Sequence, residues 1–167
     1  KERIRVEPTQ EQIEIAESAL ELTDNPSQAY QLARQVSDGF IYDEDKTPSY
    51  IENNPKLSVV SDLLDYYHTD NGGTGKLIIF ADYTASIDRL VEHCNEASPS
   101  WSVGRIDGRG LFPNNTLDLF DSQRNFCLVC HPGSVHGLDF SGSDCIVYYS
   151  NSTNPDHRVQ SIERCEN

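Results

Sequence analysis

The chain has 167 residues, of which 37% are hydrophobic and 24% charged, and its 27 acids against 13 bases give a formal net charge of −14. That length can bury one full core with an appendage, while no apolar run approaches the ~20 residues that a membrane helix needs and no signal-peptide pattern is visible. The charge argues against a strong standing affinity for nucleic acid, because phosphate binding rests on Lys and Arg.

The deficit is spread along the chain. Residues 1–60 hold 12 acids and 6 bases, and residues 61–167 hold 15 acids and 7 bases. Any nucleic-acid contact is therefore expected as a local patch or with the help of a partner domain. The sequence contains no methionine, position 1 included, and reads as an excised fragment.

In chain order, residues 1–7 alternate weakly and could form an edge strand or a tail. Thr9 to Gln12, after Pro8, is a capping-box pattern. It opens a helix with Ile13, Ala16, Ala19 and Leu20 on one face, ending near Leu22. Asn25-Pro26 starts a second helix with an Ala29, Leu32, Ala33, Val36 stripe and a stop at Gly39. Two such helices need something to pack on. Phe40 to Tyr42 follows, and the acidic stretch from Asp43 to Asn53 reads as a featureless loop. Asn54-Pro55 opens a third helix that buries Leu57, Val60, Leu64 and Tyr67 and stops before a flexible turn from Asp70 to Gly73.

Lys76 to Phe80 is the first strong strand, after which Thr84 is expected to cap a helix bearing Ile87, Leu90, Val91 and Cys94. Val103 to Ile106 is a second strand closed by Asp107-Gly108, and a short helix around Asn115–Asp121 carries Leu117 and Phe120. Two wholly apolar runs follow, Phe126–Cys130 and Cys145–Tyr149. Neither alternates, so both read as buried parallel strands. A last helix carries Gln160 and Arg164. The alternation from residue 55 onward predicts an α/β fold: a doubly wound parallel sheet with right-handed crossovers. The expected division is a helical linker or hairpin over 1–54, packing on the core, and the sheet domain over 55–167.

Two motifs have plainer readings. The stretch Gly72 to Lys76 fails the phosphate-loop pattern, since Asp70 stands where the first glycine belongs and Leu77 where Ser or Thr belongs. It also precedes a strand instead of joining a strand to a helix N-terminus. Cys127 and Cys130 have the letters of a metal knuckle. On a strand, however, positions three apart face opposite ways, so both thiols are expected as small buried apolar groups. No metal site is expected. His131 and His136 lack Glu or Cys partners at ligand spacing and are expected to make loop hydrogen bonds. The five cysteines suggest a reducing compartment.

The stretch from Phe126 to Arg164 organises the rest. Each of its two strands ends in small and polar residues, and in an open parallel sheet ligands bind where loops leave the carboxyl ends of strands. The first loop holds Gly137 and Asp139, which suit close backbone approach and a ribose hydroxyl; taken alone they also fit a turn whose aspartate accepts backbone N–H groups. Gln160 and Arg164 are four apart and share a helix face. Arginine's fork of donors suits phosphate oxygens, although a solvated helix arginine would look the same.

Gly137-Leu138-Asp139 after a strand, Val147 to Ser150, Asn154-Pro155, and Gln160 with Arg164 together resemble motifs V and VI of superfamily 2 helicases, in the Swi/Snf-type and phage helicase branch. Arg34 to Tyr42 resembles the segment that links the two motor domains there. The resemblance implies the second, RecA-like motor domain of an ATP-dependent helicase or translocase. ATP would lie between this domain's Gly137, Asp139, Gln160 and Arg164 and an N-terminal RecA-like domain that supplies the phosphate loop and magnesium. It also implies nucleic-acid contacts, DNA foremost, through Thr84, Arg105, Arg109, His131 and Ser134, with Asp107-Gly108 as the family's strand-end pair. A bacterial or phage-infected cytoplasm and an isolated fragment without turnover are further implications. The family's second arginine falls at position 167, which is Asn167. The rival reading is a helicase-like module without turnover that binds a protein through its acidic surface.

Overall fold

The computed structural model describes residues 4, 6–140, 143 and 145–150. Two compact units divide the chain, with the boundary between Val59 and Val60.

In the first unit, helix α1 (Gln10–Glu21) starts on the expected capping box. Thr9 Oγ1 accepts from the Gln12 N–H at 3.1 Å and the Gln12 side chain accepts from the Thr9 N–H at 2.8 Å. Gln12 is buried, and its Nε2 donates to the Val36 carbonyl at 3.0 Å, which ties α1 to helix α2 (Pro26–Asp38). Asn25 caps α2 by accepting from the Ser27 N–H at 2.9 Å, and Gly39 ends it in the left-handed region, φ 95°.

The stretch expected as a featureless loop is a hairpin instead. Strand β1 (Phe40–Tyr42) pairs antiparallel with β2 (Pro48–Tyr50). Asp43 builds the turn, its Oδ1 accepting from the N–H groups of Asp45 and Thr47, each at 2.9 Å. Pro48 is tolerated because it opens the strand. Asn54 then donates to the Asp38 carbonyl at 2.9 Å, and Lys56 pairs with Asp38 at 3.1 Å.

Helix α3 (Pro55–Tyr67) runs across the boundary residue. Within the second unit the chain continues as β3 (Lys76–Phe80), α4 (Thr84–Ala97), β4 (Ser102–Asp107), β5 (Gly110–Phe112), α5 (Thr116–Ser122), β6 (Phe126–Cys130), a 3₁₀ turn at Pro132–Ser134 and β7 (Cys145–Tyr148). The sheet order is β5-β4-β6-β3-β7, parallel except for β5, which pairs antiparallel with β4. This is the mixed α/β, mostly parallel architecture expected, with one strand unforeseen. Asp107-Gly108 does not simply end β4; it turns the chain back into β5.

The pleat sorts the apolar runs to two faces. Ile78, Phe80, Ile106, Phe126, Leu128 and Cys130 form one cluster with Phe120 of α5, Val135 and Phe140. On the other side Cys127 exchanges a hydrogen bond with Cys94 of α4. That bond first, and complete burial second, push the Cys127 thiol well up, so it stays protonated. Cys127 and Cys130 thus serve opposite faces of one strand as buried thiols, as the two-residue period demands. Gly104 of β4 seats α5: a Cβ there would lie 2.6 Å from Thr116 Cγ2 and 2.9 Å from the Phe126 ring. Lys76, at the start of β3, donates to the carbonyls of Phe120 and Gln123 and so caps the end of α5. No helix among the described residues is long and apolar enough to cross a membrane.

Candidate nucleotide and nucleic-acid edge

The carboxyl ends of β3, β6, β4 and β7 are bound together by continued ladder bonds. Ala81 N–H donates to Cys130 O at 3.0 Å, His131 N–H to Ile106 O at 2.9 Å and Tyr149 N–H to Phe80 O at 2.9 Å. Ser150 Oγ accepts from the Asp82 N–H at 3.2 Å, which joins the exits of β7 and β3. Beyond β3 the chain enters α4, and beyond β6 it enters the loop at 131–140. The loops of these two adjacent strands lead away in different directions, the arrangement that opens a ligand crevice at the carboxyl edge of such sheets.

The 131–140 loop is fixed from below. Pro132, Val135 and Phe140 are buried, and Leu138 packs against the core cluster. These anchors leave His136, Gly137 and Asp139 exposed. Gly137 has φ 79°, and nothing lies within 4 Å of where its Cβ would be. The glycine is required by the backbone conformation, and the space in front of it is open. His131 Nδ1 accepts from the Gly133 N–H at 3.0 Å, while Ser134 N–H returns to His131 O at 3.0 Å. His131 is thus the hydrogen-bonding loop histidine that was expected, capping its own 3₁₀ turn.

Thr84 does not cap α4. Tyr83 occupies the cap position and its side chain makes no capping bond to the helix, and Thr84 is the first helical residue, exposed at the exit of β3.

Arg105 and Arg109 come together, but on carboxylates. Arg105 Nη1 lies 2.8 Å from Asp107 Oδ1. Arg109 Nη2 lies 2.6 Å from Asp107 Oδ2 and 2.7 Å from Asp88 Oδ1 on α4. The Arg109 N–H also donates to Asp107 Oδ1 at 2.9 Å, an aspartate turn. The Asp107 side chain is only 3% exposed. Burial, the largest single influence, pushes its carboxyl up, but the hydrogen bonds from Arg109 and the charges of Arg109 and Arg105 together hold it below the usual carboxylate range. The same contacts raise the Arg109 guanidinium further.

The structure adds Asp88, Asp107's part as a common anchor, and Phe112, whose ring has the Arg105 guanidinium 5.6 Å from its centroid. The available signal was Asp107 to Gly110, a turn sequence between two short runs. Gln160 and Arg164 lie outside the described residues.

A family model described as the helicase conserved C-terminal domain matches residues 55–166. That interval takes in Gly137, Asp139, Gln160 and Arg164. No curated protein matches the chain significantly. Among solved structures, the crystal structure of the C-terminal part of the Fun30 ATPase domain is similar with a TM-score of 0.58 at 15% identity, covering 93% of this chain and 45% of that one. The Hef helicase domain of Pyrococcus furiosus is similar with a TM-score of 0.51 at 17% identity, covering 92% of this chain and 31% of that one. At these identities the two show a shared fold, RecA-like, and the chain spans less than half the length of either.

Proposed function

We propose, from the premise that this chain belongs to the helicase conserved C-terminal domain family, that it works as the second motor domain of an ATP-dependent nucleic-acid helicase or translocase. The observation that carries the reading is the 131–140 loop. Its apolar residues are sunk in the core while Gly137 and Asp139 are presented at the carboxyl edge, inside the family interval.

ATP is the substrate, bound across a cleft between this domain and an N-terminal RecA-like domain of the same parent protein. Gly137 allows close backbone approach and Asp139 accepts from a ribose hydroxyl. Gln160 and Arg164 meet the phosphates, and Arg164 stabilises charge as it develops on the transferring phosphoryl group. The N-terminal domain holds the triphosphate cradle and magnesium. Opening and closing of the cleft moves the two domains along a strand whose phosphates are held by Thr84, His131 and Ser134. The similarity to part of the Fun30 ATPase domain and to the Hef helicase domain accords with this. The spacing from Gly137 to Arg164 favours the Swi/Snf-type and phage branch, with DNA as the strand.

One observation favours the second reading, a module without turnover that binds protein. Arg105 and Arg109 are already matched by Asp107 and Asp88 on a chain of net charge −14. Steady-state ATPase assays on the complete protein separate the two, because a module without turnover hydrolyses no ATP, and Asp139→Ala then tests the nucleotide contact. A ribose contact predicts a raised KM with kcat nearly kept, the signature of lost uniform binding. Unchanged KM and kcat would remove Asp139 from the nucleotide site.

A further inference from the structure

We propose that Phe112, on the β4–β5 hairpin, is a base-stacking contact for single-stranded nucleic acid. The inference rests on the nucleic-acid reading above and adds to it the kind of contact made. Phe112 is 63% exposed on a three-residue edge strand. Neighbouring Leu111, itself 38% exposed, points to the opposite face of that strand. Arg105 covers one ring face, its guanidinium 5.6 Å from the centroid and its position set by Asp107 at 2.8 Å. A planar cation on one side leaves the other side to a planar ligand, and a nucleobase is the ligand that stacks in this way.

The hairpin is also continuous with the phosphate-contact turn. Phe112 and Leu111 are in register with Arg105 and Ile106, and the Ile106 carbonyl receives the His131 N–H. Charge supports stacking over phosphate binding at this place. Arg105 and Arg109 are balanced by Asp107 and Asp88, so the hairpin offers little release of counterions. Stacking needs no net charge, and an acidic chain does not oppose it.

The test is fluorescence anisotropy of the complete protein with a labelled oligothymidylate of roughly 20 nucleotides across a salt series. Phe112→Ala should weaken binding about tenfold and leave the slope of log K against log salt unchanged, with the same melting temperature. Phe112→Trp should keep the affinity, and its added indole emission should be quenched on binding. Phe112→Leu should behave like Phe112→Ala, and none of the three should alter binding to a duplex of equal length. Wild-type affinity in Phe112→Ala or Phe112→Leu, or no quenching in Phe112→Trp, would overturn the stacking assignment. If Thr84→Ala and Ser134→Ala still weakened binding in that case, the nucleic-acid reading would stand without it. No binding by the unaltered protein would overturn both.

Discussion

Asp107 is the residue on which the hairpin depends, because it is nearly fully buried and serves two guanidinium groups at once. Asp107→Asn keeps the shape but loses the charge, leaving Arg105 partly buried with a weaker partner. The expected cost is about 1.5–3 kcal/mol at neutral pH, the range for hydrogen bonds to charged groups. It would be read from urea unfolding followed by Trp101, which is buried and donates to Leu64 O at 3.1 Å. The pH dependence has a definite sign. The folded pKa of Asp107 lies below its unfolded value of 3.8, so between the two the unfolded chain binds more protons and stability rises with pH. The stabilisation is complete above about pH 5 and disappears as pH falls through the folded pKa. The gap between wild type and Asp107→Asn should therefore be widest near neutrality and shrink below about pH 4. A gap that widened in acid would reverse the assignment. None of this network was legible in the sequence beyond Asp107-Gly108, because Arg109 and Asp88 are 21 positions apart and only the fold brings α4 beside the hairpin.

At the scale of elements, legibility followed the length and purity of the apolar pattern. β3 and β6 are five-residue runs with buried cores, and their parallel pairing could be read from the lack of alternation. The ends of α1 and α2 were readable because Thr9, Gln12, Asn25 and Gly39 each make a cap with a definite hydrogen-bond pattern. β2 and β5 escaped because each is three residues long. Their existence depends on turns built by Asp43 and Asp107, and a carboxylate turn looks the same in sequence as an acidic loop. Two substitutions check the packing account. Gly104→Ala should destabilise the second unit by about 1–3 kcal/mol, since the added methyl would lie within 3 Å of Thr116 and Phe126 and force one of them to shift. Trp101-monitored unfolding measures this, and a neutral result would mean that α5 is not seated on β4 as described. Thr9→Ala should cost about 1 kcal/mol through loss of the cap, read as lost helical circular dichroism at lower urea.

For the whole molecule, the reading that matters most is that this family domain completes an ATP site with Arg164. The sequence showed the loop that presents Gly137 and Asp139, and the structure supplies the reason that loop holds its shape, which is the burial of Val135 and Phe140. Gln160 and Arg164 are read from their spacing and the family resemblance, and they lie outside the described residues. The ATPase rate of the complete protein carrying Arg164→Ala, taken together with its melting temperature, decides whether Arg164 serves that site. In this variant kcat should fall by about 10³-fold or more, with an unchanged melt and unchanged nucleic-acid affinity without nucleotide. Arg164→Lys should recover little, because a point charge does not reproduce the planar fork. Wild-type turnover at a wild-type melting temperature in Arg164→Ala would contradict the claim.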